Sequence, residues 1–252
     1  MTTAEAIAVP ESIPNGQAVP VRADAYAALM QIIHDWEASR AALNVLEAGG
    51  GSLSYVNFDK PIRVTAVDIS PEQLARNTYA AEKILGDLHT VALGTEKYDA
   101  TVIWEVLEHV AHPRTVLARL SEATKPDGVI IIAVPNPASL QGFITKWTPH
   151  WFHVLVFRYA FGWKMAGKPG YAPFETVHHR DIRPSRMAAW AEANGLEVLF
   201  RVEYEGARRA HLRQKSPMIG ACWDFALALG NLIMRRPLQA SDVFMVLKKS
   251  AA

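Results

Sequence analysis

The sequence predicts an α/β fold: a doubly wound, mostly parallel sheet with helices on both faces. Two observations carry this. Val45-Leu46-Glu47-Ala48-Gly49-Gly50-Gly51 reads as a buried strand ending in a glycine turn, and Val64-Thr65-Ala66-Val67-Asp68 reads as the next strand, closed by a carboxylate. In sheets of this kind ligands sit outside the carboxyl ends of the strands. A glycine turn offers bare backbone to a ligand, and an acid at the next strand end accepts hydrogen bonds from two neighbouring hydroxyls. Together they make the two halves of a nucleoside site.

The chain has 252 residues, enough for one α/β domain with surplus for an insertion. Half of the residues are hydrophobic and 20% are charged, as in an ordinary globular protein. A net charge of +1 makes no case for a nucleic-acid partner. Cys222, alone, excludes an internal disulfide and a cysteine-built zinc site. Met1-Thr2-Thr3-Ala4-Glu5 lacks the basic start and apolar core of a signal peptide, so a cytoplasmic enzyme is expected.

The elements follow in order. Residues 1–21, with prolines and few large apolar groups, are expected to form a flexible arm, and 22–252 a single domain. Tyr26, Leu29, Met30, Ile33 and Trp36 keep helical spacing within a helix expected over Asp24–Ala42. Strands are expected at Asn44–Ala48 and Val64–Val67. Ser70-Pro71-Glu72-Gln73 then starts a helix, with a serine cap, proline at the first position and glutamine three residues after the cap. A short third strand ends at Gly86-Asp87. The fourth, Ala100–Trp104, delivers Glu105 to His109 to the same rim, and Lys125-Pro126-Asp127-Gly128 turns into the fifth. His178–Gly195 reads as a loop and helix, with Pro184 early and Gly195 as the stop. Leu196–Tyr204 and Val243–Lys248 are the last strands. A helix expected over Met218–Met234 is broken for membrane spanning by Asp224 and Asn231 and is followed by Arg235-Arg236. It reads as a buried or interface helix within a helical insertion at 205–240, compatible with a homodimer. No integral membrane segment is expected, and peripheral membrane contact is the less favoured reading.

Dinucleotide sites want G-x-G-x-x-G. Here the run is Glu47-x-Gly49-x-Gly51, followed by Leu53 and Ser54 without a third spaced glycine, which disfavours a nicotinamide oxidoreductase. An acid two positions before the first glycine suits a ligand bearing an ammonium group. This pattern, with Asp68 and the stretch Glu105-Val106-Leu107-Glu108-His109-Val110, resembles the class I S-adenosylmethionine-dependent methyltransferases. The resemblance is to the ubiquinone-type and sugar O-methyltransferase branch; it covers roughly residues 40–136 and resumes near the end. It implies a Rossmann-like seven-stranded sheet whose last two strands are antiparallel, and S-adenosyl-L-methionine as cofactor. It also implies cofactor contacts from Glu47, Gly49, Gly50, Gly51, Asp68, Ile69, Asp87, Leu88 and Glu105, with Asp87 at the adenine amino group. Leu53 departs from the glycine of many relatives and leaves open a non-catalytic, S-adenosylmethionine-binding partner subunit.

For catalysis, His109 is the leading general base, since imidazole titrates near neutrality. His150, His153, His178 and His179 are substitutes. Glu105 is expected at the cofactor, and Glu108 is expected to point outward. Ten of the 23 aromatic residues fall between Phe143 and Phe174, inside a segment at 137–177 that reads as an acceptor lid. His150, Trp151, His153 and His178 are expected to touch the substrate there. The bland alternative is a satellite core beneath a long loop. Aromatic faces interleaved with polar groups favour a sugar or glycan hydroxyl, with a quinone-like or phenolic small molecule as the alternative. A divalent metal such as magnesium is left open. His178-His179-Arg180-Asp181 and Glu105, Glu108 and His109 offer ligands, but at no diagnostic spacing.

Overall fold

The computed structural model describes residues 19–251 apart from 160–161, 169–170, 172, 175, 178, 208–215 and 236. The expected N-terminal arm lies almost wholly outside the described residues. Seven strands form one sheet: β1 (Leu43–Ala48), β2 (Ile62–Asp68), β3 (Glu82–Leu85), β4 (Tyr98–Trp104), β5 (Thr124–Pro135), β6 (Leu196–Tyr204) and β7 (Asp242–Lys249). Their spatial order is β3-β2-β1-β4-β5-β7-β6. The first five run parallel, and β7 is antiparallel to both β5 and β6. The sheet is therefore mixed, with the reversed strand where the sequence expects it.

Central strands covered on both faces must be apolar throughout, and Val129–Val134 of β5 is buried without interruption. On one face, α3 (Pro113–Ala123) and α6 (Pro184–Ala193) bury Leu117, Leu120 and Met187 with Leu46, Ile103 and Ile132. On the other, α1 (Arg22–Glu37) buries Leu29, Met30 and Ile33 with Val45, Ile131 and Phe244.

Parallel strands are usually joined by a helix, yet residues 49–61 between β1 and β2 contain none. The helix preceding β1 takes over the cover of that face. Tyr26 donates its hydroxyl to Tyr55 O at 2.8 Å. The buried Glu37 carboxylate accepts the amides of Asp59 (2.9 Å) and Lys60 (3.3 Å). These bonds fasten the helix-free crossover to α1. After β2, α2 (Pro71–Arg76) starts as its sequence dictates, with Ser70 Oγ accepting Gln73 N–H at 3.2 Å.

The segment at 137–177 contains two helices, α4 (Leu140–Trp147) and α5 (His150–Tyr159). The first is capped by Ser139 Oγ, which accepts Gly142 N–H at 2.9 Å. The late insertion supplies α7 (Pro217–Met234). Leu238 N–H donates to Asn231 Oδ1 of α7 (2.7 Å), and Leu140 N–H of α4 donates to Leu238 O (3.0 Å), so the end of α7 abuts the start of α4. No helix among the described residues is long and apolar enough to cross a membrane.

Candidate active site

The site begins where β1 ends. Gly49 has φ +73, and a Cβ there would lie 2.3 Å from Val106 Cγ2, so only glycine fits against β4's exit. Val67 O accepts both Gly49 N–H (2.7 Å) and Gly50 N–H (3.1 Å), which draws the turn onto β2. Asp68 completes the clasp: Oδ2 accepts Gly51 N–H at 3.0 Å and Oδ1 accepts Ser70 N–H at 2.8 Å. Its carboxylate lies on the cleft wall, and each ionised oxygen has a further lone pair for a ligand hydroxyl.

Behind the turn, Asn77 is buried and uses both ends of its amide. Nδ2 donates to Gly51 O (3.1 Å) and Gly50 O (3.4 Å), while Oδ1 accepts Ala80 N–H (2.9 Å) and Tyr79 N–H (3.2 Å). Replacing it leaves several buried polar groups unmet, each costing about 1–3 kcal/mol. Asn77→Ala is therefore expected to lower unfolding stability by at least that much for one group, read from the midpoint of a urea titration.

Glu47 is oriented differently from its neighbours. Strand alternation turns it to the α1 face, where it is buried and accepts hydrogen bonds from Ser54 Oγ at 2.5 Å and from the Tyr79 hydroxyl. Burial pushes its carboxyl up from the usual range, and the two hydrogen bonds pull it partly back. The Tyr79 phenol is raised by burial and by Glu47 beside it. Glu47 does not line the cleft; its position fits an anchor for the loop at 52–55.

At the end of β3, Asp87 Oδ1 accepts His89 N–H (2.9 Å) and His89 Nδ1–H (2.6 Å). These two bonds hold its carboxyl below the usual carboxylate range. His112 N–H donates to His89 Nε2 at 3.2 Å, which fixes the proton of the neutral ring on Nδ1. Leu88 is buried beside them, and all three of Asp87, Leu88 and His89 line the cleft.

Past β4, Glu105 has φ +53, a left-handed conformation that is strained for a residue with a Cβ and that clusters at functional sites. Its amide is held by Ala133 O at 2.8 Å, while its exposed side chain lies on the cleft wall. The ring of Trp104, just before it, is stacked on Tyr55, with centroids 5.2 Å apart and planes within 7°. The Trp104 indole N–H is buried and makes no hydrogen bond among the described residues. One turn on, Glu108 is buried on the cleft wall, contrary to the outward orientation expected, because the chain folds back beneath Val177, whose N–H bonds Glu108 O at 2.8 Å. His109 Nε2 stands 3.8 Å from Glu108 Oε1, and its ring meets the edge of Phe174 at 5.9 Å.

The glycine turn, Asp68, Asp87, His89, Trp104, Glu105, Glu108 and His109 open on one cleft of about 1050 Å³. The structure brings together Gly49, Gly50, Gly51, Asp68, Ile69, Asp87, Leu88, Glu105, His109 and His153 on its walls. It does not bring Glu47, His150 or Trp151 there, and His178 lies outside the described residues. Within α5 the reason is helical phase: Phe152, His153, Val156 and Phe157 face the cleft, so Trp151 is turned outward. His153 Nε2 lies 2.5 Å from Thr148 Oγ1. Sequence reasoning missed Tyr55, Trp104 and His89, and also Arg76, whose guanidinium lies 4.5 Å from the Tyr171 ring centre and links α2 to the segment that follows α5. The signal for Tyr55 and Trp104 was their nearness to the glycine turn and the β4 end. Nothing in the sequence pairs Arg76 with Tyr171. Among the described residues, the only three potential metal ligands within 4.8 Å of one another are His34, Glu37 and Asp59, none of which lines the cleft.

A family model described as a methyltransferase domain matches residues 21–199. The chain belongs to that family. Its strand order and cleft make it a class I, S-adenosylmethionine-type methyltransferase in fold. This methyltransferase is 26% identical to a ubiquinone biosynthesis O-methyltransferase of Coxiella burnetii, over 60% of its own length and 61% of the relative's. The match thus spans about three fifths of that relative. A protein of the same name from Xanthomonas campestris is 28% identical, over 68% of this chain and 71% of the relative. Among solved structures, an S-adenosylmethionine-dependent methyltransferase from Mesorhizobium loti is similar in fold, with a TM-score of 0.53 and 14% identity over 89% of this chain and 97% of that one.

Proposed function

We propose that this methyltransferase transfers the methyl group of S-adenosylmethionine to the hydroxyl of a quinone-like or phenolic ring. The observation that carries the reading is the convergence, on one cleft, of a side-chain-free turn, two strand-end carboxylates and His109. The groups present fit the cofactor. Gly49 leaves room that a Cβ would fill against Val106, Asp68 offers acceptors for two ribose hydroxyls, and Asp87 with the backbone of Leu88 offers an acceptor and a donor for an adenine edge. Glu105, exposed at the strained β4 exit, supplies a negative charge for the methionine ammonium. When bound, S-adenosylmethionine supplies a methyl group already activated on a sulfonium.

The protein's own residues do the rest. The lid excludes water and orients the ring, for which Phe152, Phe157, Trp163 and Phe174 provide an aromatic wall. Positioning of this kind can supply up to about 7–11 kcal/mol of the barrier in the best models. His109 takes the hydroxyl proton at its neutral nitrogen as the oxygen becomes nucleophilic, and buried Glu108 beside it stabilises the imidazolium that results.

The names of the relatives support a quinone-like acceptor. The carbohydrate acceptor expected from lid composition draws no support from them. A panel read by mass gain tests the choice: catechols and hydroxyquinones are expected to be methylated, and free or glycosidic sugars are not. Methylation of sugars alone would reverse the assignment.

A further inference from the structure

We propose that His89 is a positioning residue for base recognition: it clamps one oxygen of Asp87 and so presents the other, as a fixed acceptor, to the 6-amino group of adenine. This rests on the cofactor reading above and adds the residue that sets its discrimination between purines.

The turn after β3 is held firmly through its backbone. Asp87 O accepts Thr90 N–H at 2.9 Å and Val91 N–H at 2.8 Å. From α3, Arg119 Nε donates to Leu88 O at 3.0 Å. The Asp87 side chain has no such enclosure. It is 48% exposed, and the torsion that turns a carboxylate is intrinsically broad. His89 holds it instead, with its N–H (2.9 Å) and its Nδ1–H (2.6 Å) both on Oδ1. Oδ2 makes no hydrogen bond among the described residues, and Asp87 lines the cleft, so this oxygen is left for a ligand.

The imidazole is itself fixed. It is 19% exposed, and its Nε2 accepts the N–H of His112, the N-cap residue of α3, at 3.2 Å. Both ring nitrogens are therefore used, and the ring cannot turn without losing two bonds. Two donors on Oδ1 also hold the Asp87 carboxyl below the usual carboxylate range. An ionised carboxylate accepts hydrogen bonds and cannot donate them. It takes the N–H of a 6-amino purine and repels the oxygen of a 6-oxo purine. A carboxylate free to turn away would discriminate less.

Calorimetric titration with S-adenosylhomocysteine and with its 6-oxo counterpart, S-inosylhomocysteine, tests this. The ratio of the two affinities within one protein cancels any loss common to both ligands. The wild type is expected to prefer the adenosyl ligand by about ten- to a hundredfold, the value of one hydrogen bond to a charged group. His89→Ala should narrow that preference about fivefold or more. Added to Asp87→Ala, which removes the acceptor itself, it should change the ratio no further, because His89 acts through Asp87. Two other variants separate the bonds of the ring. The amide of His89→Asn takes the place of Nδ1 and can donate to Oδ1, whereas that of His89→Gln reaches the place of Nε2 and can serve only His112. Asparagine should recover most of the preference and glutamine little. Recovery by glutamine alone, or a His89→Ala ratio equal to that of the wild type, overturns the proposal and leaves the cofactor reading intact. A wild type that binds neither ligand overturns both.

Discussion

Asp68→Ala will bind S-adenosylmethionine about a hundredfold or more weakly than the wild type. A hydrogen bond to a charged group contributes about 1.5–3 kcal/mol, and a carboxylate facing two ribose hydroxyls makes two. The same carboxylate holds Gly51 N–H (3.0 Å) and Ser70 N–H (2.8 Å), so the variant also releases the glycine turn from β2. Asp68→Asn separates the two contributions. It keeps the volume and one acceptor, so it should fall between wild type and alanine. Titration calorimetry on all three proteins, with circular dichroism as the folding control, checks the order. Equal affinities would remove Asp68 from the cofactor site.

His109→Gln will lower kcat by about 10²- to 10⁴-fold, the usual contribution of a general base. Affinity for S-adenosylmethionine should not change, because glutamine retains polarity and approximate size. In the wild type the rate should fall towards acid as His109 protonates, since only the neutral ring can accept the hydroxyl proton. The variant should lose that dependence. It should also recover part of its rate on more acidic phenols, which ionise without help. A histidine that merely orders the cleft wall would alter cofactor binding and show neither the lost pH limb nor the recovery.

Much of the fold was legible because local rules determine it. Ser70 caps α2 through a bond its sequence announces, and Gly195 sits at φ +74 just past Asn194, the C-cap of α6. The glycine turn and Asp68 were legible as a pair, since both lie at strand ends and the fold carries strand ends to one rim. Glu47 was not, although the pattern was available. Two-residue alternation puts it on the same face as Val45, beneath α1, where Tyr79 and Ser54 hold it. The facing of side chains in the segment at 137–177 was illegible for another reason. Its aromatic residues were countable, but both faces of α5 and α7 are apolar, so no periodicity could say that Phe152 faces the cleft while Trp151 faces out. The helix-free crossover at 49–61 and the Arg76–Tyr171 contact depend on tertiary packing that no local pattern encodes.

The central claim is that the glycine turn, Asp68 and Asp87 bind an adenosyl sulfonium cofactor and not a dinucleotide. Calorimetric titration of the purified chain with S-adenosylmethionine, S-adenosylhomocysteine and NADH tests it most directly. Saturable binding of the first two, at dissociation constants on the order of micromolar (about 8 kcal/mol), with no heat from NADH, is the expected result. Binding of NADH alone, or of none of the three, would contradict it.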